Sequence, residues 1–571
     1  MPDRVVDHLV RAVADLGVTH IFGVDGANIE DLYDAIFDAG GHPAGIIAKH
    51  EFSAATMADG YARSTGGLGV VAATSGGGAM NLVPGLAESY TSRVPVLALI
   101  GQAPTALEGL GAFQDSSGLA ESIDAAVLFT TISRYCARVT DPAELPAQLT
   151  AAIAAARSGG PAVLLLPKDV QQQSMPAAAV AHGRRPNRTP LSTEVAAAAD
   201  SPEPGERLTT IAEELAAARA LGKVVVIAGD QVARDDARAE LAELVTALDA
   251  TIGVAPDAKD VYPATGPGYG GVAGSMGHPE LIAALESASA CLLVGTRLPV
   301  TTRAGLESAL TDRPLLSLGV LEPYLPTIHA PSTDLAADIT RLLGRLDPAP
   351  SSTSASTPTP LPVPEASGPG LRYRTVVEAI QAALPARADI FADAGNTGAA
   401  VVHHLRVPTG GRFVVALGMG GMGYAFGAGI GSAFARHAAP DGPHRTIVIA
   451  GDGAFYMHGM EIHTAVEHDL PVTFVVFNNN AHAMCVTREQ LYYRDRYSFN
   501  RFRTAHPGAG IAAMFPGLPA RTVTASAELA DALHDSFTAR GPAFLEIVCD
   551  PDEVPPFLPF LSTIESARSP Q

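Results

Sequence analysis

The sequence predicts an α/β protein built from three doubly wound parallel-sheet domains. Apolar, strand-like runs alternate with stretches of helical spacing, the pattern left by parallel sheets with crossover helices. Two stretches rich in Pro, Ala, Ser and Thr divide that pattern into three blocks. The length, 571 residues, suits three domains of ordinary size.

The first block, 1–175, carries buried strands at GIIA (45–48), GVVAAT (69–74) and VPVLALIG (94–101), with PAVLLLP (161–167) expected to close the sheet. Ser53–Arg63 and Ala79–Tyr90 have helical spacing. A Pro- and Ala-rich linker over 172–204 leads into a central domain over 190–346. Its elements are GKVVVIAGD (222–230), the helix ARAELAELVTAL (237–248) and ACLLVGTRL (290–298). Residues 347–370 are low-complexity Pro, Ser and Thr, and predict a flexible crossing. The last domain, 371–560, has strands DIFADAG (389–395), TIVIAGDG (446–453), PVTFVVFNN (471–479) and AFLEIVCD (543–550). From Leu561 onward a loose tail is expected. The first and third blocks match in size and style, which predicts two related domains flanking a different one.

Composition narrows the function classes. A 47% hydrophobic content is ample for large cores, and a net charge of −21 argues against a nucleic-acid scaffold. Cys136, Cys291, Cys485 and Cys549 form no CxxC pair and no zinc spacing, so free thiols are expected. The N-terminal stretch carries Asp3, Asp7 and Asp15 and does not read as a signal peptide. No run of about 20 apolar residues occurs. The expectation is a cytoplasmic protein with no membrane or nucleic-acid partner.

The chemistry is concentrated between Gly451 and Asn479. TIVIAGDG predicts a buried strand ending in a tight turn, with Asp452 at the strand's C-terminal edge, where open α/β sheets bind ligands. MHGMEIHTAVEHD then reads as a helix, and VTFVVF as a strand running into Asn478, Asn479 and Asn480. Neighbouring parallel strands would let Asp452 and Asn479 offer two oxygens to one magnesium ion, with the Ala481 carbonyl as a third. A diphosphate and water would complete the shell. Taken singly, each motif reads better as a turn or a strand-end loop than as a metal site.

Their order is more specific. GDG, 24 residues and then NN resembles the signature of thiamine diphosphate-dependent enzymes. That resemblance implies binding of thiamine diphosphate and Mg2+ between a pyrimidine domain and a diphosphate domain flanking a central one. It implies cofactor contacts from Gly26, Asn81, Asn396, Thr397, Gly420, Met422, Gly451, Gly453, Ala454 and Met484, and metal contacts from Asp452, Asn479 and Ala481. It also implies at least a homodimer, or a homotetramer, with active sites shared between subunits.

A rival reading comes from Gly418, Gly420 and Gly423, which match GxGxxG after the apolar FVVAL. No suitably placed acid follows for a ribose. In the resembled family, Met422 instead holds the cofactor bent and the Gly420 carbonyl receives its 4′-amino group.

KHEFSAATMADGYARSTG (49–66) and TSGGGAMNLVPGLAESY (74–90) resemble the acetolactate synthase branch, with Gly77 in place of a Pro. An isolated Glu51 would be a helix-start charge. By resemblance it is the catalytic glutamate that shifts the 4′-amino group to its imino form. Gly111–Asp115 is similar to the family's GxFQE segment, which places Phe113 and Gln114 in the pocket of a neighbouring subunit. PKDVQ (167–171) fits the same branch.

Departures from the family matter as well. The His pair of pyruvate decarboxylases has no counterpart near Ala112, and the Ser and His of benzoylformate decarboxylases are replaced by Ala27 and Thr74. A pocket poor in proton donors favours attack on a second carbonyl over protonation. The expected activity is therefore a carboligase acting on a 2-oxo acid, simplest pyruvate, and an acceptor carbonyl. A plain decarboxylase releasing an aldehyde is the alternative, and a non-catalytic cofactor-binding protein the third reading. His482 could still supply a proton. Cys485 and Arg488 stand where acetohydroxyacid synthases carry Val and Trp, so the acceptor can differ; Arg488 reads equally as an acceptor-binding or a surface residue. Arg297 and Arg303 lack the spacing of a flavin site, so tightly bound FAD is not expected. His403 and His404 read as helix or loop surface.

Overall fold

The computed structural model describes residues 3–176, 204–347, 354, 357–437 and 444–568. Most of the expected first linker, 177–203, lies outside the described residues, as do 348–353 and 355–356 of the second.

Three parallel six-stranded sheets form the molecule. The first contains β1 (His20–Val24), β2 (Ala44–Ile47), β3 (Gly69–Ala73), β4 (Val96–Gln102), β5 (Tyr135–Arg138) and β6 (Pro161–Pro167), in the order β2-β1-β3-β4-β6-β5. The second contains β7 (Val224–Ala228), β8 (Thr251–Val254), β9 (Tyr269–Val272), β10 (Ala290–Val294), β11 (Leu315–Gly319) and β12 (Ile328–Pro331), ordered β12-β11-β10-β7-β8-β9. The third contains β13 (Ala388–Ala392), β14 (Phe413–Val415), β15 (Arg445–Gly451), β16 (Val472–Asn478), β17 (Ala520–Val523) and β18 (Ala543–Val548), ordered β14-β13-β15-β16-β18-β17. Counted within each domain, the first and third sheets share one topology, 2-1-3-4-6-5. The middle sheet has the order 3-2-1-4-5-6 of dinucleotide-binding domains.

The central strands are apolar on both faces because helices cover both sides; β4, β6 and β16 are buried at every residue. The expected closing strand β6 is not the edge. The half-buried β5 pairs outside it, made of YCAR, which has no apolar run to announce it.

The first and third domains meet through two helices, Glu51–Thr65 and Tyr424–Arg436. Side chains would not fit where they cross. A Cβ on Gly427 would sit 2.6 Å from the Ser53 carbonyl, and one on Gly60 or Gly431 would press into the opposite backbone at Ala428 or Met57. Asp59 is buried in this seam, paired with Arg63 at 2.6 Å and accepting from Ser89 at 2.7 Å and from Tyr424.

Three expectations fail on packing. Residues 357–370 form no helix or strand, but they are seated on the protein. Leu361 is buried and its N–H donates to His403 Nε2 at 3.0 Å, while the Thr359 N–H donates to Glu280 at 2.8 Å. His403 is therefore not surface; it is 2% exposed under this segment. The expected loose tail is the helix Leu558–Arg568, anchored by buried Phe560 and Leu561. Among the described residues no helix is long and apolar enough to cross a membrane.

Candidate active site

Strand register builds the heart of the site. Gly451 at the end of β15 pairs with Phe477 in β16, so Asp452 and Asn479 emerge side by side from neighbouring strands. Asp452 is 2% exposed and accepts from the Gly453 N–H at 2.9 Å and the Ala481 N–H at 3.2 Å. Burial pushes its carboxyl up to about 7. A carboxylate held there without a countercharge is costly, which suits it to a cation.

The three asparagines divide their work. Asn478 ties the strand inward, donating to Glu546 at 2.6 Å and to the Ala505 carbonyl at 3.0 Å. Asn480, at φ 53°, receives the Ala505 N–H at 2.9 Å. Asn479 alone turns toward Asp452. Its amide donates to Tyr373 Oη at 3.0 Å and its Oδ1 receives the Ala481 N–H at 3.1 Å.

Asp452, Asn479 and Ala481 line one pocket with Asn396, Thr397, Met422, Gly451, Gly453, Ala454 and Met484, and with His482 and Cys485. Helices Gly395–His404 and Ala483–Tyr493 both begin at this pocket, so two helix N-termini face it. That is a setting for phosphate oxygens. Asn396 Oδ1 is buried there with no hydrogen-bond partner among the described residues, an orphaned polar atom that a ligand would satisfy. Among the described residues no cluster of three His, Cys, Asp or Glu could hold a metal alone. One carboxylate, one amide oxygen and a carbonyl are too few for magnesium's six ligands, so the metal site is complete only with a diphosphate and water. The residues present fit that group.

The GxGxxG loop has a different job. It lies between β14 and the helix Tyr424–Arg436, as a dinucleotide loop would. Three of its N–H groups are already taken by two protein carboxylates. Glu88, 2% exposed, accepts from Gly418 at 3.1 Å and Met419 at 2.6 Å. Asp393 accepts from Gly423 and Ala425, each at 3.0 Å. A diphosphate would face these anions, so the rival reading fails. The loop instead presents Met422 to the pocket, while Gly420, at φ 66°, is exposed beside it.

The first domain holds a second group. Glu51 opens its helix, with His50 at the N-cap. Glu51 Oε2 receives the Asn81 amide at 2.9 Å, and Oε1 faces Gly78. Gly26 lies against Thr74, where a Cβ would come within 2.8 Å. Thr74 receives the Asn28 N–H at 3.2 Å and donates to Gln114 Oε1 at 3.1 Å; Gln114 has φ 58°. Phe113 is 74% exposed. Glu51, Asn81, Gly26, Gln114 and Phe113 do not line the Asp452 pocket of the same chain. The predicted residues thus form two groups, one in each outer domain. Sequence reasoning missed Glu88, Asp393 and Tyr373; the one signal for Glu88 was a charge on an otherwise apolar helix face.

Arg488 is exposed and makes no hydrogen bond or ion pair among the described residues. His482 packs edge-on against Phe502 at 4.8 Å.

A split site, with an anion-ready pocket in one outer domain and a carboxylate in its topological twin, is the arrangement of a thiamine diphosphate enzyme. Residues 3–121 match the family described as thiamine pyrophosphate enzyme, N-terminal TPP binding domain; residues 208–346 match its central domain and 393–547 its C-terminal TPP binding domain. The chain belongs to the thiamine pyrophosphate enzyme family, and to its acetolactate synthase-like part. It is 26% identical to a probable acetolactate synthase large subunit of Methanocaldococcus jannaschii, over 96% of this chain and 93% of that protein. It is 29% identical to a sulfoacetaldehyde acetyltransferase of Castellaniella defragrans, over 82% of this chain and 80% of that one. The fold matches the 4-hydroxybenzoylformate decarboxylase of Rhodococcus jostii RHA1 with a TM-score of 0.78 at 20% identity, covering 96% and 99% of the two chains.

Proposed function

We propose that this chain is a thiamine diphosphate- and magnesium-dependent carboligase, which decarboxylates a 2-oxo acid, most simply pyruvate, and passes the acyl fragment to an acceptor carbonyl. When bound, the cofactor supplies the carbanion and the sink for the electrons released with carbon dioxide. Asp452, Asn479 and the Ala481 carbonyl hold magnesium. Asn396, Thr397 and the two helix N-termini hold the diphosphate. Met422 and the Gly420 carbonyl hold the aminopyrimidine. Glu51, steadied by Asn81, keeps one oxygen for the pyrimidine ring nitrogen and moves the proton there.

One observation carries the choice of ligation over aldehyde release. Thr74, which meets Glu51 across Gly78, is bonded to Gln114 and Asn28, and Asn28 to Ser75, a chain of hydroxyls and amides already tied to one another. None is an acid that would quench the acyl fragment. The test is to supply thiamine diphosphate, magnesium and a panel of 2-oxo acids, with and without aldehydes, and to identify the products by mass. Acetolactate or an acyloin from pyruvate supports ligation; acetaldehyde alone overturns it in favour of the decarboxylase reading.

The site is completed by a second copy of the chain. Glu51's group does not reach the Asp452 pocket of its own chain, and Leu107, Leu110, Phe113, Leu119, Ile123 and Val127 expose an apolar surface around Gln114. Mixing Glu51→Gln and Asp452→Ala subunits tests this. A hybrid dimer keeps one intact site, so randomly mixed inactive parents recover about a quarter of wild-type activity. No recovery in demonstrated hybrids would mean that one chain makes its own site.

We further read the central domain as free of tightly held flavin. The crevice beyond β7 and β10, where a dinucleotide would lie, is filled. Gln231 bridges Ser332 and Val320 there, and a Cβ on Gly229 would stand 2.6 Å from the Gly295 carbonyl. The purified protein should show no flavin absorption.

A further inference from the structure

A second cavity lies apart from the cofactor pocket. It encloses about 510 Å³ where the central domain, the segment after Thr357 and the third domain meet. That size is in the range of small-molecule sites. Its wall brings Lys259, His278, Arg374, His403, His404 and Arg406 into one space. Glu378 is the one carboxylate of the lining, and it is paired with Arg374 at 2.7 Å.

Lys259, His278 and His403 are buried, while Arg374 and Arg406 are exposed. Lys259, 5% exposed, has no carboxylate partner among the described residues; its ammonium donates to the Val401 and Val402 carbonyls at the end of the helix Gly395–His404. His278 stacks on His403 with centroids 4.3 Å apart, and His404 meets His403 edge-on at 4.6 Å. His403 is fully used: Nδ1 donates to the Met276 carbonyl at 2.9 Å and Nε2 receives the Leu361 N–H. The His404 ring and the Arg406 guanidinium form no hydrogen bond or ion pair among the described residues. Burial pushes Lys259 down to about 7, and burial with repulsion from neighbouring basic groups pushes His278 to about 2 and His404 to about 3. The guanidiniums of Arg374 and Arg406, with Lys259 and His404 able to take up protons beside an anion, outnumber the lining carboxylate Glu378 and the nearby Glu280, which acts on His403. Pro358, Pro360, Ala382 and Leu405 give the remaining wall an apolar face.

We propose that this cavity is a second ligand site, for a small organic polyanion bearing phosphate or carboxylate groups, held by Arg406, Arg374, His404 and Lys259. It lies at the far end of the element that serves the cofactor. The helix Gly395–His404 puts Asn396 and Thr397 in the diphosphate pocket and His403 and His404 in this cavity, about 10 Å further along the helix axis.

The experiment is calorimetric titration of the holoenzyme, saturated with thiamine diphosphate and magnesium, using inorganic phosphate, citrate and adenosine 5′-monophosphate as probes. At least one is expected to bind with a millimolar Kd or tighter. Phosphate-only or citrate-only binding identifies which anion chemistry the site takes. Two variants accompany it: Arg406→Ala, and Gln381→Glu, which places a carboxylate on the cavity wall without changing shape. Each should weaken binding at least tenfold while the melting temperature in anion-free buffer is kept. Binding by none of the probes overturns the proposal, as does unchanged binding in both folded variants.

Discussion

Removing Glu88 tests whether the glycine loop is held in place before the cofactor arrives. The buried carboxylate accepts two backbone N–H groups, from Gly418 and Met419, and the Ser92 hydroxyl at 2.7 Å. Hydrogen bonds to a charged group contribute about 1.5–3 kcal/mol each, so the two loop contacts set a ceiling of about 3–6 kcal/mol. Gly418 and Met419 are exposed, and water can take over part of that role. In Glu88→Ala we expect about 2–3 kcal/mol to be lost from loop order, recovered only when the cofactor binds. That weakens thiamine diphosphate binding about 30- to 150-fold, with kcat at saturating cofactor changed far less. Glu88→Gln keeps one acceptor and should fall between. The chain has no Trp, so calorimetric titration of the apoenzyme at fixed magnesium is the suitable assay. A folded Glu88→Ala protein whose cofactor affinity stays within about threefold of the parent would refute the reasoning.

Three further outcomes follow from the same geometry. Glu51→Gln should bind thiamine diphosphate like the parent while kcat falls about 10²- to 10⁴-fold, separable by calorimetry and steady-state assay. Exhaustive chelation should abolish activity and cofactor binding together, and magnesium should restore both in the parent but not in Asp452→Ala. His278 and His403 are held down to about 2 and about 4 by burial. Their folded pKa values lie below the unfolded value near 6.5, so the stability they confer is complete above about pH 6.5 and lost as pH falls below it. Between pH 6.5 and 4.5 the pair should cost about 5 kcal/mol, seen as a steep fall in denaturation midpoint that flattens in the His278→Asn/His403→Asn protein.

The interior of the fold was legible because strands covered on both faces are continuous apolar runs. β4, β6, β15 and β16 could be read directly for that reason. What escaped were strands that need no such run. β1, HIFGV, carries a His and a Gly, and the edge strands β5 and β17 are exposed enough to be polar. The tail helix escaped because its Phe560 and Leu561 become core only once a surface exists to receive them.

The candidate site divides along the same physical line. Asp452, Asn479 and Asn396 were readable because a strand end and a helix start are local events, and a short motif contains both. The meaning of GxGxxG was not local. Its spacing is that of a dinucleotide loop, and it follows a strand and precedes a helix. The decision belongs to Glu88 and Asp393, whose carboxylates occupy the N–H groups of Gly418, Met419 and Gly423 and turn an anion cradle into a fixed ledge for Met422. Glu88 lies 330 residues from Gly418 along the chain. It shares a helix, Gly77–Thr91, with Asn81, which steadies Glu51. That helix therefore supports the acid of one site group with its first turns and the ledge of the other with its last. In a dimer whose sites each combine groups from two chains, those two duties belong to different active centres, joined within one subunit by this helix and its hydrogen bonds.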